Sequence, residues 1–172
     1  RAGLRYTGTY LPVRNVLMLY AYFLFWSVPG GYLAGLYVSR TFGDSYWYLT
    51  SVELVGFGGM LVGSIIMSAW GGFKLRSRTL AAGFAFFGTM AISMSLSSNI
   101  ETYLLFMFTY GIALTTIQTT ITTILQEKAV PQMHGRVFGL MSSLYAACYP
   151  LGMLVFGAIA DQIALEGIMQ LS

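Results

Sequence analysis

Five long apolar stretches separated by short polar ones organise this sequence. They cover residues 16–38, 47–70, 79–97, 102–125 and 137–160. A helix needs about 20 mostly apolar residues to cross roughly 30 Å of hydrocarbon. Each stretch is near that length. The runs are too long and too uniform for the alternating strands of a membrane barrel, so each predicts a transmembrane α-helix. Segments 39–46 and 98–101 read as tight polar turns, and 71–78 and 126–136 as the charged connections. Residues 1–15 mix Arg with Leu and Tyr and read as a cytoplasmic interfacial linker, with Pro12 near the break. Residues 161–172 are amphiphilic and too short to cross.

Composition agrees with that pattern. The hydrophobic fraction is 56% and the charged fraction 9%, against about 25% charged in a soluble domain. Such a chain lacks the polar groups to cover itself in water. Aromatic residues at 16% and 20 glycines suit a membrane bundle, where Tyr and Trp sit at the interfaces and Gly allows close helix contact. The one cysteine, Cys148, rules out an internal disulfide and reads as a small packing residue. The chain opens on Arg1 and shows no basic n-region followed by a short apolar core, so no signal peptide is expected.

Charge sets an orientation. If the start of the chain is cytoplasmic, Arg1, Arg5, Arg14, Lys74, Arg76, Arg78, Lys128 and Arg136 all lie inside and only Arg40 outside. That is the asymmetry of the positive-inside rule. Asp44, Glu101, Asp161 and Glu166 fall outside and Glu127 inside. The expected location is the cell membrane, multi-pass. The basic residues are scattered between spans, not gathered on one surface, which argues against nucleic acid as a partner.

Few residues inside the spans can carry chemistry. Glu53 is the only ionisable residue well inside one, about 9 Å past Trp47 along the axis. An acid there is costly unless it meets a cavity, a partner or water. It reads either as a proton or cation site on a transport pathway or as an acid hydrated from the outer rim. Gln118, in the middle of span four, must find hydrogen-bond partners, on a neighbouring helix in the preferred reading or on substrate. The surrounding threonines can bond their own i−4 carbonyls. Tyr20, Tyr22 and Trp26 could stack on an aromatic or cationic substrate, although packing is the commoner role of such residues.

Pro29 and Gly30, and Pro150 with Gly152, predict points of bending or flexibility in spans one and five. Gly56, Gly59 and Gly63 share a face of span two in the small-xxx-small pattern of close helix contact. His134 reads as a solvated loop residue. Arg136 reads as holding a lipid phosphate or a helix end. A membrane enzyme is not expected: one His, one Cys, no paired carboxylates and no phosphate-binding loop leave no constellation for catalysis, a metal or a cofactor.

The stretch 130–161, VPQMHGRVFGLMSSLYAACYPLGMLVFGAIAD, resembles the tenth-to-eleventh helix region of major facilitator superfamily transporters. Val130, Pro131, Gly135, Arg136, Val137, Phe138, Gly139 and Leu140 match a VP-x-x-x-x-GRVFGL pattern like that of bacterial drug and macrolide efflux permeases. Pro150 and Gly152 match the Pro-x-Gly pair of the helix that follows. Residues 3–6 resemble the linker before helix seven, and 71–78 the eight-to-nine loop. The resemblance covers essentially the whole chain as helices seven to eleven with the start of twelve. It implies the C-terminal half of an all-α membrane bundle whose N-terminal six-helix half is missing here.

By that resemblance the protein would be a secondary transporter. It would move a drug-like small molecule outward by alternating access, coupled to protons, with no cofactor and with the bilayer as its surroundings. Glu53, Gln118, Tyr20, Tyr22 and Trp26 would line the pathway. Lys74, Arg76, Arg78, Gly135 and Arg136 would form the cytoplasmic loops that gate it. One departure is that the family's best-known loop motif pairs its basic residues with an Asp, while loop 71–78 has no acid. The rival expectation is a non-transporting membrane scaffold or assembly subunit, which would bury the polar residues in helix contacts instead of lining a cavity.

Overall fold

The structure, a computed structural model, describes residues 10–43 and 45–160. The readings made on residues 1–9, on Asp44 and on 161–172 lie outside those residues. Five long helices follow one another: α1 Leu11–Phe42, α2 Tyr46–Trp70, α3 Arg76–Ser95, α4 Ile100–Lys128 and α5 His134–Ala160. A single 3₁₀ turn, Pro131–Met133, leads into α5. No strand occurs among the described residues. Each apolar stretch has become one helix, extended mostly into its flanks.

The ends have local causes. Pro12 occupies the first turn of α1, where its missing N–H has no intrahelical partner to lose. The helix therefore begins inside the segment read as a linker. Gly43, at φ 107°, ends α1. Gly71, at φ 71°, closes α2 in the left-handed conformation and donates its N–H to the Met67 carbonyl at 2.8 Å. Before α3, the Phe73 N–H donates to Thr79 Oγ1 at 2.9 Å. Glu101 in the first turn of α4 and Lys128 in its last complement the helix dipole. Val130 is extended because Pro131 follows it, and this separates α4 from α5.

Four helices are long and apolar enough to cross a membrane: α1, α2, α4, and α5 with its leading turn. The fifth expected span falls short. Arg76 and Arg78 sit in the first turn of the 20-residue α3, which leaves an apolar length of about 25 Å.

α4 is the centre of the bundle. It packs against α2 and α3 and also meets α1, while α5 packs mainly on α1. Contacts between named residues give the helix directions. Gly56 of α2 lies at Met107 of α4, Gly59 at Phe108, and Gly63 at Ile112 and Thr115, so α2 and α4 run parallel. Tyr20 partners Gln118, Ser27 partners Tyr110, and Tyr37 stacks on Tyr103 at 5.5 Å, so α1 runs antiparallel to α4. Gly83 against Ile117 and Met90 against Thr109 make α3 antiparallel to α4.

Between membrane helices there is little hydrophobic driving force, so close packing carries the association. A Cβ on Gly59 would overlap the Phe108 carbonyl oxygen, and one on Gly111 would come within 2.5 Å of the Gly56 oxygen. The backbones of α2 and α4 thus touch along the predicted small-residue face. Thr115 adds hydrogen bonds to Met60 O at 3.3 Å and to its own Gly111 O at 3.1 Å. Thr116, Thr120, Thr122 and Thr123 return to i−4 carbonyls, as expected for threonines inside a span. Phe23 of α1 packs edge-on to Phe84 and Phe87 of α3, which fixes α3 outside the other four helices.

Candidate binding cavity

α1, α2, α4 and α5 enclose a half-open cavity of about 730 Å³. Glu53, on α2, and Gln118, on α4, both line it. They do not meet. The α2–α4 register places Glu53 level with about residue 104 of α4, so Gln118 lies some 14 residues, or about 20 Å, further along the axis. Glu53 stands near the end of the bundle where α2 begins, and Gln118 forms the floor. Beyond Gln118, α1 and α4 close through Val13, Leu17, Ile121 and Leu125, all buried. That contact lies toward the end that carries Arg14, Lys74, Arg76, Lys128 and Arg136.

Tyr20 is buried, and its side chain lies beside that of Gln118. Gln118 thus stands beside a neighbouring helix and on the cavity wall. Tyr22 and Trp26 do not reach the cavity, against expectation. At 100° per residue the lining positions Leu24, Ser27, Gly31 and Ala34 form one stripe of α1. Tyr20 continues that stripe, whereas Tyr22 and Trp26 fall on the opposite side. Trp26 packs against Phe25 and against Phe156 of α5, and Tyr22 is exposed.

Three tyrosines that sequence reasoning passed over do line the cavity: Tyr32, Tyr145 and Tyr149. Tyr145 and Tyr149 stack with ring centres 5.4 Å apart and planes 10° from parallel. Their i, i+4 spacing was the available signal. Gly31 leaves the space in which the Tyr149 hydroxyl sits. Met60, Met107 and Phe57 supply apolar wall, and no Lys or Arg is among the lining residues. Glu53 is the one Asp, Glu, Lys or Arg among the described residues that line the cavity.

The proline–glycine pairs act through packing. α1 and α5 continue as helices through Pro29 and Pro150. Pro29 lacks the N–H that the Phe25 carbonyl would accept. Gly152 of α5 lies over that carbonyl and against Val28, where its Cβ would come 2.6 Å from the valine side chain. Gly30 faces the ring of Tyr110, whose hydroxyl donates to Ser27 O at 3.2 Å.

At the basic end, Arg76 donates through Nη2 and Nε to Glu127 Oε1 at 3.0 and 3.2 Å, and through Nη1 to the Gly71 carbonyl. The acid absent from loop 71–78 is thus supplied by the last turn of α4. Lys74 and Arg78 are exposed. Gly135 and Arg136 are also exposed, with Arg136 Nη1 3.4 Å from Met133 Sδ. His134 is not simply solvated. It is half-buried, and its Nε2 donates to Ala129 O at 3.0 Å and Gln126 O at 3.2 Å, tying the start of α5 to the end of α4. Two carbonyl partners require the proton on Nε2. Among the described residues no group of three or more His, Cys, Asp or Glu is placed to hold a metal.

The chain is similar to macrolide efflux protein A of Streptococcus pyogenes, at 24% identity over 156 residues, covering 88% of this chain and 38% of the relative's length. The same protein from S. pyogenes serotype M6 matches equally. The chain thus spans about two fifths of these curated relatives. No family model matches it, and no solved structure matches it. The chain is an all-helical, membrane-type bundle distantly similar to an efflux protein.

Proposed function

We propose that the chain is the C-terminal half of a major facilitator-type exporter, working by proton-coupled alternating access on small, drug-like molecules. The observation that carries this reading is the cavity: four helices enclose it, it reaches the middle of the bundle, and the one acid away from a helix end among the described residues lies on its wall. Transport sites of this class lie near the bilayer midplane between structural repeats. The scaffold reading expects those polar residues to be buried in contacts, and Glu53 is instead on an open wall.

Helix pairing supports the repeat. Exchanging α1 with α4 and α2 with α5 turns the α1–α5 pair into the α4–α2 pair, both of which are close-packed. That is the pattern of two three-helix units of the kind nested in each half of these transporters. The distant similarity to a macrolide efflux protein supports export as the direction.

The same geometry supports five crossings. α2 and α4 are parallel, and α3 joins the end of one to the start of the other. If α2 and α4 both span, α3 has to cross as well. Arg76 and Arg78 can reach the headgroups from its first turn. Thr89, Ser93 and Ser95 satisfy their hydroxyls on their own helix. With the basic end cytoplasmic, the buried α1–α4 contact beyond Gln118 would lie on the inner side of the cavity. Pro29, Gly30, Pro150 and Gly152 would then ease the rocking of α1 and α5, and Lys74, Arg76, Arg78, Gly135 and Arg136 would form the inner gate with the N-terminal half.

Glu53 is the residue of this half suited to carry the proton. The test is export of a fluorescent lipophilic cation by cells making the full-length protein, with and without a protonophore. Glu53→Gln is expected to lower protonophore-sensitive export about tenfold or more at unchanged membrane abundance. Undiminished proton-driven export by the variant removes Glu53 from the coupling role. No export by the wild type, across cationic, neutral and anionic probes, returns the reading to a scaffold.

A further inference from the structure

A second recess lies outside the four-helix cavity, where the end of α3 turns into α4. It holds about 390 Å³, room for about a dozen water molecules at ~30 Å³ each. Its wall is polar and uncharged. Ser93 and Ser97 come from the end of α3, Ser98 and Asn99 from the turn, and Thr102 from the first turn of α4. Ser97 is only 7% exposed. Its hydroxyl donates to the Ser93 carbonyl at 2.8 Å, and that of Ser93 to the Thr89 carbonyl at 2.7 Å. Both oxygens keep lone pairs that can accept from a ligand. Asn99 is the N-cap of α4, yet its side chain makes no capping bond, so its amide is not committed to the helix. Leu96 and Phe106 supply the apolar part of the wall. Leu96 is exposed, as are Ile92, one turn before it, and Leu105, next to Phe106.

Depth gives this recess its meaning. On the reading that α3 crosses the bilayer, Ser93 lies about 22 Å past Arg78 along the helix axis. The hydrocarbon layer is about 30 Å thick. With Arg78 among the headgroups on one side, the recess begins within the acyl region near the other. Polar walls at that depth are costly unless something hydrogen-bonds to them. A phosphate would want Lys or Arg, and none lines the recess. An ammonium would want an acid or an aromatic cage. Glu101, in the same turn of α4, is not part of the wall, and Phe106 is its one ring. A sugar fits better. It is uncharged, its hydroxyls both donate and accept, and its C–H faces can rest on Leu96 and Phe106.

We propose that the recess binds the sugar headgroup of a neutral glycolipid. The sugar sits among Ser97, Asn99 and Thr102, and the acyl chains run along Ile92 and Leu105. The site needs α3 to cross, but it does not need the chain to transport anything.

The test uses the full-length protein in phosphatidylcholine nanodiscs. These hold equal small amounts of a glucosyl diacylglycerol, its peracetylated form and phosphatidylglycerol, all with the same acyl chains. The protein is then extracted in detergent, and the lipids it retains are quantified by mass spectrometry. The glucosyl lipid should be retained about fivefold or more over each of the other two. Asn99→Leu with Thr102→Val should remove that preference. Ser64→Ala with Ser68→Ala, which deletes two exposed hydroxyls from α2, should keep it. Methyl glucoside, a sugar without chains, should not displace the lipid.

Equal retention of the three lipids by the wild type overturns the proposal, whatever the variants do. Preferential retention of phosphatidylglycerol overturns it in favour of a phosphate site, and displacement by methyl glucoside in favour of a free sugar. Cysteines at positions 77 and 98 that label from opposite sides, together with equal retention, would remove the site and leave the crossing. Export is not measured, so the exporter reading stands or falls separately.

Discussion

Single residues decide how closely the helices approach. Gly59 and Gly88 are both helical glycines, yet their surroundings differ. A Cβ on Gly59 would run into the backbone of Phe108, which has nowhere to go, while a Cβ on Gly88 would meet nothing within 4 Å. Gly59→Ala is therefore expected to destabilise the full-length protein by about 1–3 kcal/mol, the usual cost of overpacking. Gly88→Ala should be neutral or stabilising by up to about 1 kcal/mol, from helix propensity alone. Thermal unfolding of the purified protein separates the two. A Gly59→Ala protein as stable as wild type would mean that α2 and α4 do not touch there. The small-residue face of α2 was legible because its spacing is periodic. Gly111, its partner on α4, was not, because a lone glycine in an apolar run carries no spacing to read. The cavity shows the same contrast. Glu53 and Gln118 announced themselves as polar groups in hydrocarbon. Tyr22 and Trp26 lie off this cavity and Tyr145 and Tyr149 on it, a difference the sequence does not carry, because an aromatic residue suits lipid, core and cavity alike. Only the rotation of its helix decides between them.

At the scale of elements, the five helices were readable from apolar length; of their ends only the break near Pro12 was read, and Gly43, Gly71 and Pro131 mark others in the structure. Their pairing was not, because it depends on contacts between residues far apart in sequence. Arg76 and Glu127 are an example: 51 positions separate them, and nothing local in loop 71–78 reveals that its acid comes from α4. Their bond ties the start of α3 to the end of α4, but both side chains are substantially exposed, at 33% and 49%. An exposed pair is screened by solvent and salt. A double-mutant cycle on Arg76→Gln and Glu127→Gln should therefore give a coupling under about 1 kcal/mol, shrinking further in high salt. A coupling well above that would mean that the pair is desolvated in the whole protein, as an inner gate covered by the N-terminal half would make it. The His134 link differs in kind. It joins consecutive helices through backbone acceptors, so its strength should vary less with salt.

For the molecule as a whole, the question is how often the chain crosses the bilayer and in which direction. Hydropathy alone gives four helices and leaves α3 short. On the proposal that α2 and α4 both span, their parallel packing leaves the connecting helix only one way to run. If α3 lay along one surface, α4 would start on the side where α2 ends, and the two would be antiparallel. That contradicts the ordered contacts of Gly56, Gly59 and Gly63 along α4. The distribution of Lys and Arg then predicts which side is which. Ser77 and Ser98 report on both points, since they flank α3 at opposite ends and are exposed. In a full-length protein whose Cys148 is replaced by Ser, a cysteine at position 98 should react with a membrane-impermeant maleimide on intact cells. A cysteine at position 77 should react only after the membrane is opened. Labelling of position 77 alone from outside would invert the orientation while keeping the crossing. Labelling of both from the same side would show that α3 does not span, and the parallel α2–α4 contact, with the cavity built on it, would fall together.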